Sequence, residues 1–423
     1  MIDEKVYEAN GIKTYVCANT NLHTFSLCCY IKAGMLYDGK TEPGTAHMFE
    51  HMVFRNLKNK YDDDIYDLFV ANKLNFNART YNEFVQFEFI GLPDGFSFAC
   101  EVVSKMFDDF TLPNSEYKAE IGRIKAEIRE DSEKTTIRYF ADSKVWHGTP
   151  LEGTICGNCA GLDRVSMSKL NEYKSKIISN GNFFFCVTGN VTDENVNMLL
   201  KSLECINVSD IKYNRDNTVI LPADFCNRKN EIHIKNSDYY YVRISFDTDN
   251  SEIPLEVQEY IYTILFTNED ALVYKHLSED NQFVYSFENY YEQYRNAGCL
   301  KLQFEVSSRK LYDAIEETVS IFNLLKTGNF SMLNAKNKLE MNLLNSLDVP
   351  EDLNASIAFE NHIVSERKRF YEKFSSVTKA DVENAAKKLF VQKNCVVALK
   401  GRKNKIDSKR ITEIIDKLDS GDF

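Results

Sequence analysis

RVSMSKLNEYKSKII (residues 164–178) followed by NFFFCVTGN (182–190) is echoed by SVTKADVENAAKKLF (376–390) followed by NCVVALKGR (394–402). Val165 matches Val377, Ser166 matches Thr378, Asn182 matches Asn394 and Gly189 matches Gly401, all at one constant offset. Each copy reads as a helix opened by Ser or Thr, whose hydroxyl can accept from a free N–H of the first turn. A short apolar strand ending at Gly follows. Helix, gap and strand all keep one register, so duplication of an α/β unit explains the pattern.

Working outward, 423 residues exceed one ordinary core, and two homologous domains are expected. The stretch 207–230, VSDIKYNRDNTVILPADFCNRKN with its flanks, is the most polar and least periodic and marks the joint, giving domains 1–210 and 228–423. In the first, FSLCCYIKAG reads as a strand, NARTYNEFVQFEFIGL (77–92) alternates like one exposed strand, and PNSEYKAEIGRIKAEIRED (113–131) is a long helix with Ile121, Ile124 and Ile128 on one side. In the second, EIHIKNSDYYYVRISFD reads as strands, and helical patterns fill 309–346 and 351–390. Strands come in groups followed by long helices rather than in strict alternation. The fold class is therefore α+β, each domain a mostly antiparallel sheet packed with helices.

An apolar fraction of 43% with 27% charged residues describes a soluble globular chain. A net charge of −12 argues against nucleic acid as a partner. No run of 18 apolar residues exists, so no membrane span is expected. The start, MIDEKVYEANGIKTYVC, has neither a basic-plus-apolar leader nor an Arg/Ser-rich one, which makes a cytoplasmic location the expectation. Most of the eleven cysteines sit in apolar runs and read as small core residues. Cys156-Gly157-Asn158-Cys159 is open to two readings, a loop with two free thiols or a redox or metal pair.

His47-Met48-Phe49-Glu50-His51 carries the chemistry. On a helix, residues four apart stand one above the other, so both imidazoles can reach one ion. Glu50 falls beside them, where a carboxylate can act as a base on water; this is the inverted zinc-peptidase pattern H-x-x-E-H. Histidines on helices are also found merely solvated or packed, so the pattern needs a third ligand. Glu120 and Glu127, two turns apart, border the isoleucine side of their helix. Carboxylates there need a positive neighbour, and a zinc ion or a surface salt bridge would each serve.

Together these segments resemble the pitrilysin/insulinase family of inverted-motif zinc peptidases, in its mitochondrial-processing-peptidase-like branch. PGTAHMFEHMVFRN is similar to the family's metal signature, and Glu127 stands at the distance beyond His51 where the family's third ligand falls. The resemblance implies one zinc ion per chain held by His47, His51 and Glu127, with Glu50 as general base and Glu120 as support or auxiliary acid. NARTYNEF resembles the strand that pairs with substrate backbone, which implies Asn77 and Ala78 at the edge of the cleft. A clamshell of two domains around a chamber for peptides is implied as well.

The family's second half carries an Arg/Tyr pair that reaches the active site. Here Leu277-Ser278-Glu279-Asp280-Asn281-Gln282-Phe283-Val284-Tyr285-Ser286 keeps the tyrosine, Tyr285, but has Ser278 in place of the arginine. Some small members work as pairs, one chain bringing the metal and the other the Arg/Tyr half. The expected function is a zinc endopeptidase acting on peptides or unfolded segments, as in precursor maturation. The expected partner is a homologous chain in a heterodimer, with a homodimer second. The rival expectation is a non-catalytic scaffold subunit.

Overall fold

The computed structural model describes residues 3–40, 42–61, 64–134, 136–210, 239–359, 374–402 and 406–420. Most of the expected joint (211–230), the expected strand at 231–238 and the middle of one helical pattern (360–373) lie outside the described residues.

The first sheet has six strands: β1 (Lys5–Ala9), β2 (Ile12–Ala18), β3 (Phe25–Ile31), β4 (Leu74–Thr80), β5 (Val85–Gly91) and β6 (Phe183–Gly189). Their order is β1-β2-β6-β3-β5-β4, antiparallel throughout except for the parallel pair β2–β6. β3 and β6 are buried at every position, as expected of uninterrupted apolar runs covered on both faces. Residues 77–92 do not form the single exposed strand their alternation suggests. They belong to two strands joined by a hairpin at Tyr81–Phe84, and only β4 alternates, with Asn77 and Arg79 exposed and Ala78 and Thr80 half-buried.

The second sheet has β7 (Tyr240–Asp249), β8 (Phe287–Gln293), β9 (Ala297–Val306) and β10 (Cys395–Lys400) in the order β10-β7-β9-β8. This matches β6-β3-β5-β4 strand for strand, all antiparallel, as a duplication requires. The helices used below are α1 (Thr45–Lys60), α2 (Asn114–Lys134), α3 (Thr136–Val145), α4 (Met167–Ile177), α5 (Leu255–Phe266), α6 (Met332–Asp348), α7 (Pro350–Ala358) and α8 (Lys379–Leu389). Ser166 caps α4 and Thr378 caps α8, each hydroxyl accepting from the backbone N–H three residues on. The helical pattern at 309–346 is broken at Gly328, whose positive φ of 72° ends one helix before α6 begins.

Two compact units result, and they are not the contiguous halves 1–210 and 228–423. The first contains 1–133, 153–217 and 345–366; the second contains 134–152, 218–344 and 367–423. Thus α3, from the first half of the sequence, packs on β7 and β10, while α7, from the second half, packs on β3 and β6. Each half lends the other the helix that covers its sheet's second face. The anchors correspond: Asp142 of α3 and Asn354 of α7 are related by the same offset as Val165 and Val377. Asp142 pairs with the buried Lys301 at 2.7 Å. Asn354 donates to the carbonyls of Ser26 and Cys186 and accepts from the Tyr30 hydroxyl at 3.0 Å.

Candidate metal centre

α1 is held by one apolar face, on which Met48, Phe49, Met52, Val53 and Leu57 are buried. Its N-terminus is capped from a distance: both oxygens of Asp38 accept, from the N–H of Gly44 at 2.6 Å and of Ala46 at 2.9 Å. Gly44 has φ 94°, and a Cβ there would meet the Cys156 carbonyl at 2.6 Å, so the Cys156–Cys159 loop lies against the start of α1. With that face fixed, His47 and His51 stand one turn apart with ring centroids 4.7 Å from each other. α2 supplies the carboxylates, its Ile124 buried and its Ile121 and Ile128 half-buried.

His47 Nε2 lies 3.6 Å from Glu127 Oε1, and His51 Nε2 lies 3.6 Å from Glu127 Oε2. Among the described residues these three are the one group of His, Cys, Asp and Glu side chains arranged to hold a metal, with one ligand atom from each within 4.8 Å of the others. His51 Nδ1 sits 2.8 Å from Glu120 Oε1, and Arg55 Nε donates to Glu120 Oε2. A neutral His51 whose Nδ1–H is given to Glu120 turns the lone pair of Nε2 towards Glu127. An imidazole lone pair and a carboxylate oxygen facing one another both call for a cation between them, so these residues fit a zinc ion.

The electrostatics agree. Burial, and secondarily the neighbouring His51, push His47 down to about 3, so its ring is neutral, the form that ligates metal. Burial works to raise Glu120, but its hydrogen bonds to His51 and Arg55 outweigh that and hold it below the usual carboxylate range. Glu50 is raised: burial is the main cause, opposed by hydrogen bonds from Thr80.

The structure thus brings together His47, His51, Glu127, Glu50 and Glu120. Glu120 is 2% exposed and bonded to a candidate ligand, which removes the reading of a helix-surface glutamate. Asn77 and Ala78 lie on β4, an edge strand that pairs with β5 alone among the described residues. Tyr285 belongs to the second unit and is 97% exposed, neither in a strand nor in a core. It borders a cavity of about 570 Å³ with Phe266, Tyr274 and Phe287. Ser278 lies in the π-helical turn Tyr274–Asp280. Cys156 and Cys159 are not joined in a disulfide, and the Cys156 Sγ contacts Glu127 Oε1 at 3.9 Å.

Sequence reading overlooked Arg55 and Thr80. Thr80 Oγ1 donates to Glu50 Oε2 at 2.5 Å from a distant strand. A hint existed, since Thr80 shares the inward parity of Ala78 in β4. The metal set does not recur in the second copy of the repeat: at the positions answering to His47, Glu50, His51 and Glu127 stand Glu259, Tyr262, Thr263 and Leu339.

Residues 14–158 match the family model described as Insulinase (Peptidase family M16), and residues 164–336 match the Peptidase M16 inactive domain. The "Uncharacterized zinc protease YmxG" of Bacillus subtilis (strain 168) is 20% identical over 351 residues, 80% of this chain and 83% of that protein. Mitochondrial-processing peptidase subunit beta of Rattus norvegicus is 25% identical over 167 residues, 39% of this chain; the match spans 34% of that relative's length. A protease from Helicobacter pylori has the same fold, with a TM-score of 0.82 at 14% identity over 95% of this chain and 100% of that one.

Proposed function

The chain belongs to the insulinase family, peptidase M16, and on that premise we propose that it is a zinc-dependent endopeptidase hydrolysing peptides or unfolded segments. The observation that carries the reading is the convergence of His47, His51 and Glu127, with Glu50 directly before His51 in the chain. Those three would hold one zinc ion per chain. Bound there, zinc supplies a Lewis acid that polarises a peptide carbonyl and acidifies water.

The chain's own groups do the rest. Glu50 takes a proton from the attacking water at its carboxylate and returns it to the nitrogen of the leaving amine. Glu120 and Arg55 keep His51 oriented. The open edge of β4, at Asn77 and Ala78, pairs with an extended peptide as an added strand. Tyr285 donates its hydroxyl to the developing oxyanion. Because Ser278 cannot replace an arginine, the chain works beside a homologous partner that carries the Arg/Tyr pair, a role consistent with a relative named as a subunit; a homodimer is second choice. Peptide-precursor maturation in the cytoplasm is the setting this reading favours.

One alternative has a specific observation behind it. Residues 164–336 match a domain described as inactive, and with Ser278 this supports a non-catalytic scaffold subunit. The two readings part in one experiment, metal analysis with peptide hydrolysis on the unsubstituted chain and Glu50→Gln, alone and with a partner bearing Arg and Tyr. The peptidase reading expects one zinc in both proteins and hydrolysis by the unsubstituted chain only. Absence of zinc, or equal hydrolysis by both, overturns it.

A further inference from the structure

Glu50 has three side-chain torsions, and a base serves only if those torsions are held. A hydroxyl from the sheet holds it, that of Thr80. The hydroxyl donates to Oε2 at 2.5 Å. Thr80 is the last residue of β4, the outermost strand of its sheet.

Successive N–H groups of a strand point to alternate sides. Tyr81 turns its N–H inward, to the Phe84 carbonyl at 2.8 Å. Thr80 and Ala78 therefore face the open edge. The two residues there are engaged differently. The Ala78 N–H is taken at 2.9 Å by Oδ1 of the exposed neighbour Asn77, a contact that one side-chain rotation releases. Thr80 is tied to Glu50 through its hydroxyl. The edge available to an incoming strand thus ends where the base begins.

We propose that Thr80 is the positioning residue for Glu50: it terminates the peptide-pairing edge of β4 and fixes the base at that terminus, so that docking of a peptide at Ala78 brings its backbone up to the Glu50 carboxylate. The inference rests on the peptidase reading and deepens it. Asn77 acts as a placeholder on the Ala78 N–H and gives way to a peptide carbonyl.

The test uses the zinc-loaded full chain with Thr80→Val, which keeps shape and backbone N–H but removes the hydroxyl, and Thr80→Ser, which restores the hydroxyl. Three quantities are read: zinc per chain, the affinity for acetohydroxamate by calorimetry, and kcat and KM on an unstructured peptide, with the partner if one is required. Acetohydroxamate probes the base directly, because its N–OH proton needs a carboxylate held beside the metal. Thr80→Val should keep its zinc, bind the hydroxamate about 10-fold more weakly and lose roughly 10- to 100-fold in kcat with KM within about 2-fold. Thr80→Ser should return to near the unsubstituted values. Unchanged hydroxamate affinity and kcat in Thr80→Val overturn the proposal, as does a loss of zinc matching the loss of activity, which makes Thr80 merely structural. Zinc binding without peptide hydrolysis by any preparation defeats the peptidase reading alone, and the hydroxamate measurement still decides Thr80. Lack of zinc in the unsubstituted chain defeats both.

Discussion

His51 Nδ1 lies 2.8 Å from Glu120 Oε1, and Arg55 grips the other oxygen of the same buried carboxylate. A ring donated to a carboxylate is fixed in tautomer and in rotation, and its far nitrogen becomes a stronger ligand. Glu120→Gln keeps the size of the side chain and removes the charge that does this. Its zinc dissociation constant should rise about 10- to 100-fold, measured by competition with a chromogenic chelator. Unchanged affinity would show that Glu120 does not tune the site.

The exchanged helix α3 gives a second expectation. The Lys301 side chain is fully buried and bridges Asp142 of α3 at 2.7 Å and Glu292 of β8 at 2.5 Å. Removing the cation leaves Glu292 without it and Asp142 with the more distant Arg243, 3.6 Å away, at a partly buried junction. Lys301→Met should destabilise the second unit by on the order of 3 kcal/mol, read from urea unfolding, since breaking a buried pair on one side strands the other charge. A variant as stable as the parent would mean that apolar packing of α3 on β7 and β10 suffices.

Glu259, at the place in α5 that answers to His47, gives a pH signature. Burial raises it from an ordinary value of 4.5 to about 7, with the Gln293 amide, 3.2 Å from Oε1, pulling the other way. The folded state therefore binds the proton more tightly than the unfolded chain. That contribution is fully present below about pH 4.5 and is lost as pH rises through about 7. Thermal unfolding of the unsubstituted chain and Glu259→Gln should show the midpoint difference shifting in favour of the glutamine variant between pH 5 and pH 8. A pH-independent difference would place Glu259 in contact with solvent.

What was legible in the sequence was what local periodicity encodes. His47 and His51 meet because their spacing is close to one helical turn, and the pairing of 164–190 with 376–402 keeps register because a duplicated strand and helix share spacings. Glu127 was readable as a candidate from the helix face it shares with Glu120, and its match to the family pattern singled it out. Thr80 and Arg55 were not, since their contacts reach far along the chain and depend on how β4 and α2 stack against α1. The exchange of α3 and α7 was equally hidden. An apolar stripe on a helix says that a face will be buried, and both sheets offer the same topology to receive it. The hairpin at Tyr81–Phe84 was missed because β5, buried on nearly every side, lacks the alternation that marks a strand's two faces.

The last prediction concerns Ser278 and Tyr285. An arginine side chain holds a peptide carbonyl through charge-assisted hydrogen bonds, stronger than neutral ones, and serine is too short and uncharged to do so. Lys275 lies one turn before Ser278 in the same helical stretch, and Arg295 lies in the turn between β8 and β9; neither takes the Ser278 position. Tyr285, almost fully exposed, has its hydroxyl available to a substrate. We expect the zinc-loaded chain alone to cleave an unfolded peptide poorly, and a homologous chain bearing Arg and Tyr to raise the rate by roughly 100-fold, the scale of one oxyanion-stabilising donor. Ser278→Arg should recover part of that gain without the partner, and Tyr285→Phe should abolish the recovery. The measurement is kcat/KM with and without partner, alongside the mass of the assembly in solution. Vigorous cleavage by the unsubstituted chain as a homodimer, indifferent to both substitutions, would show that neither Ser278 nor Tyr285 governs the reaction and that pairing with a second kind of chain is not required.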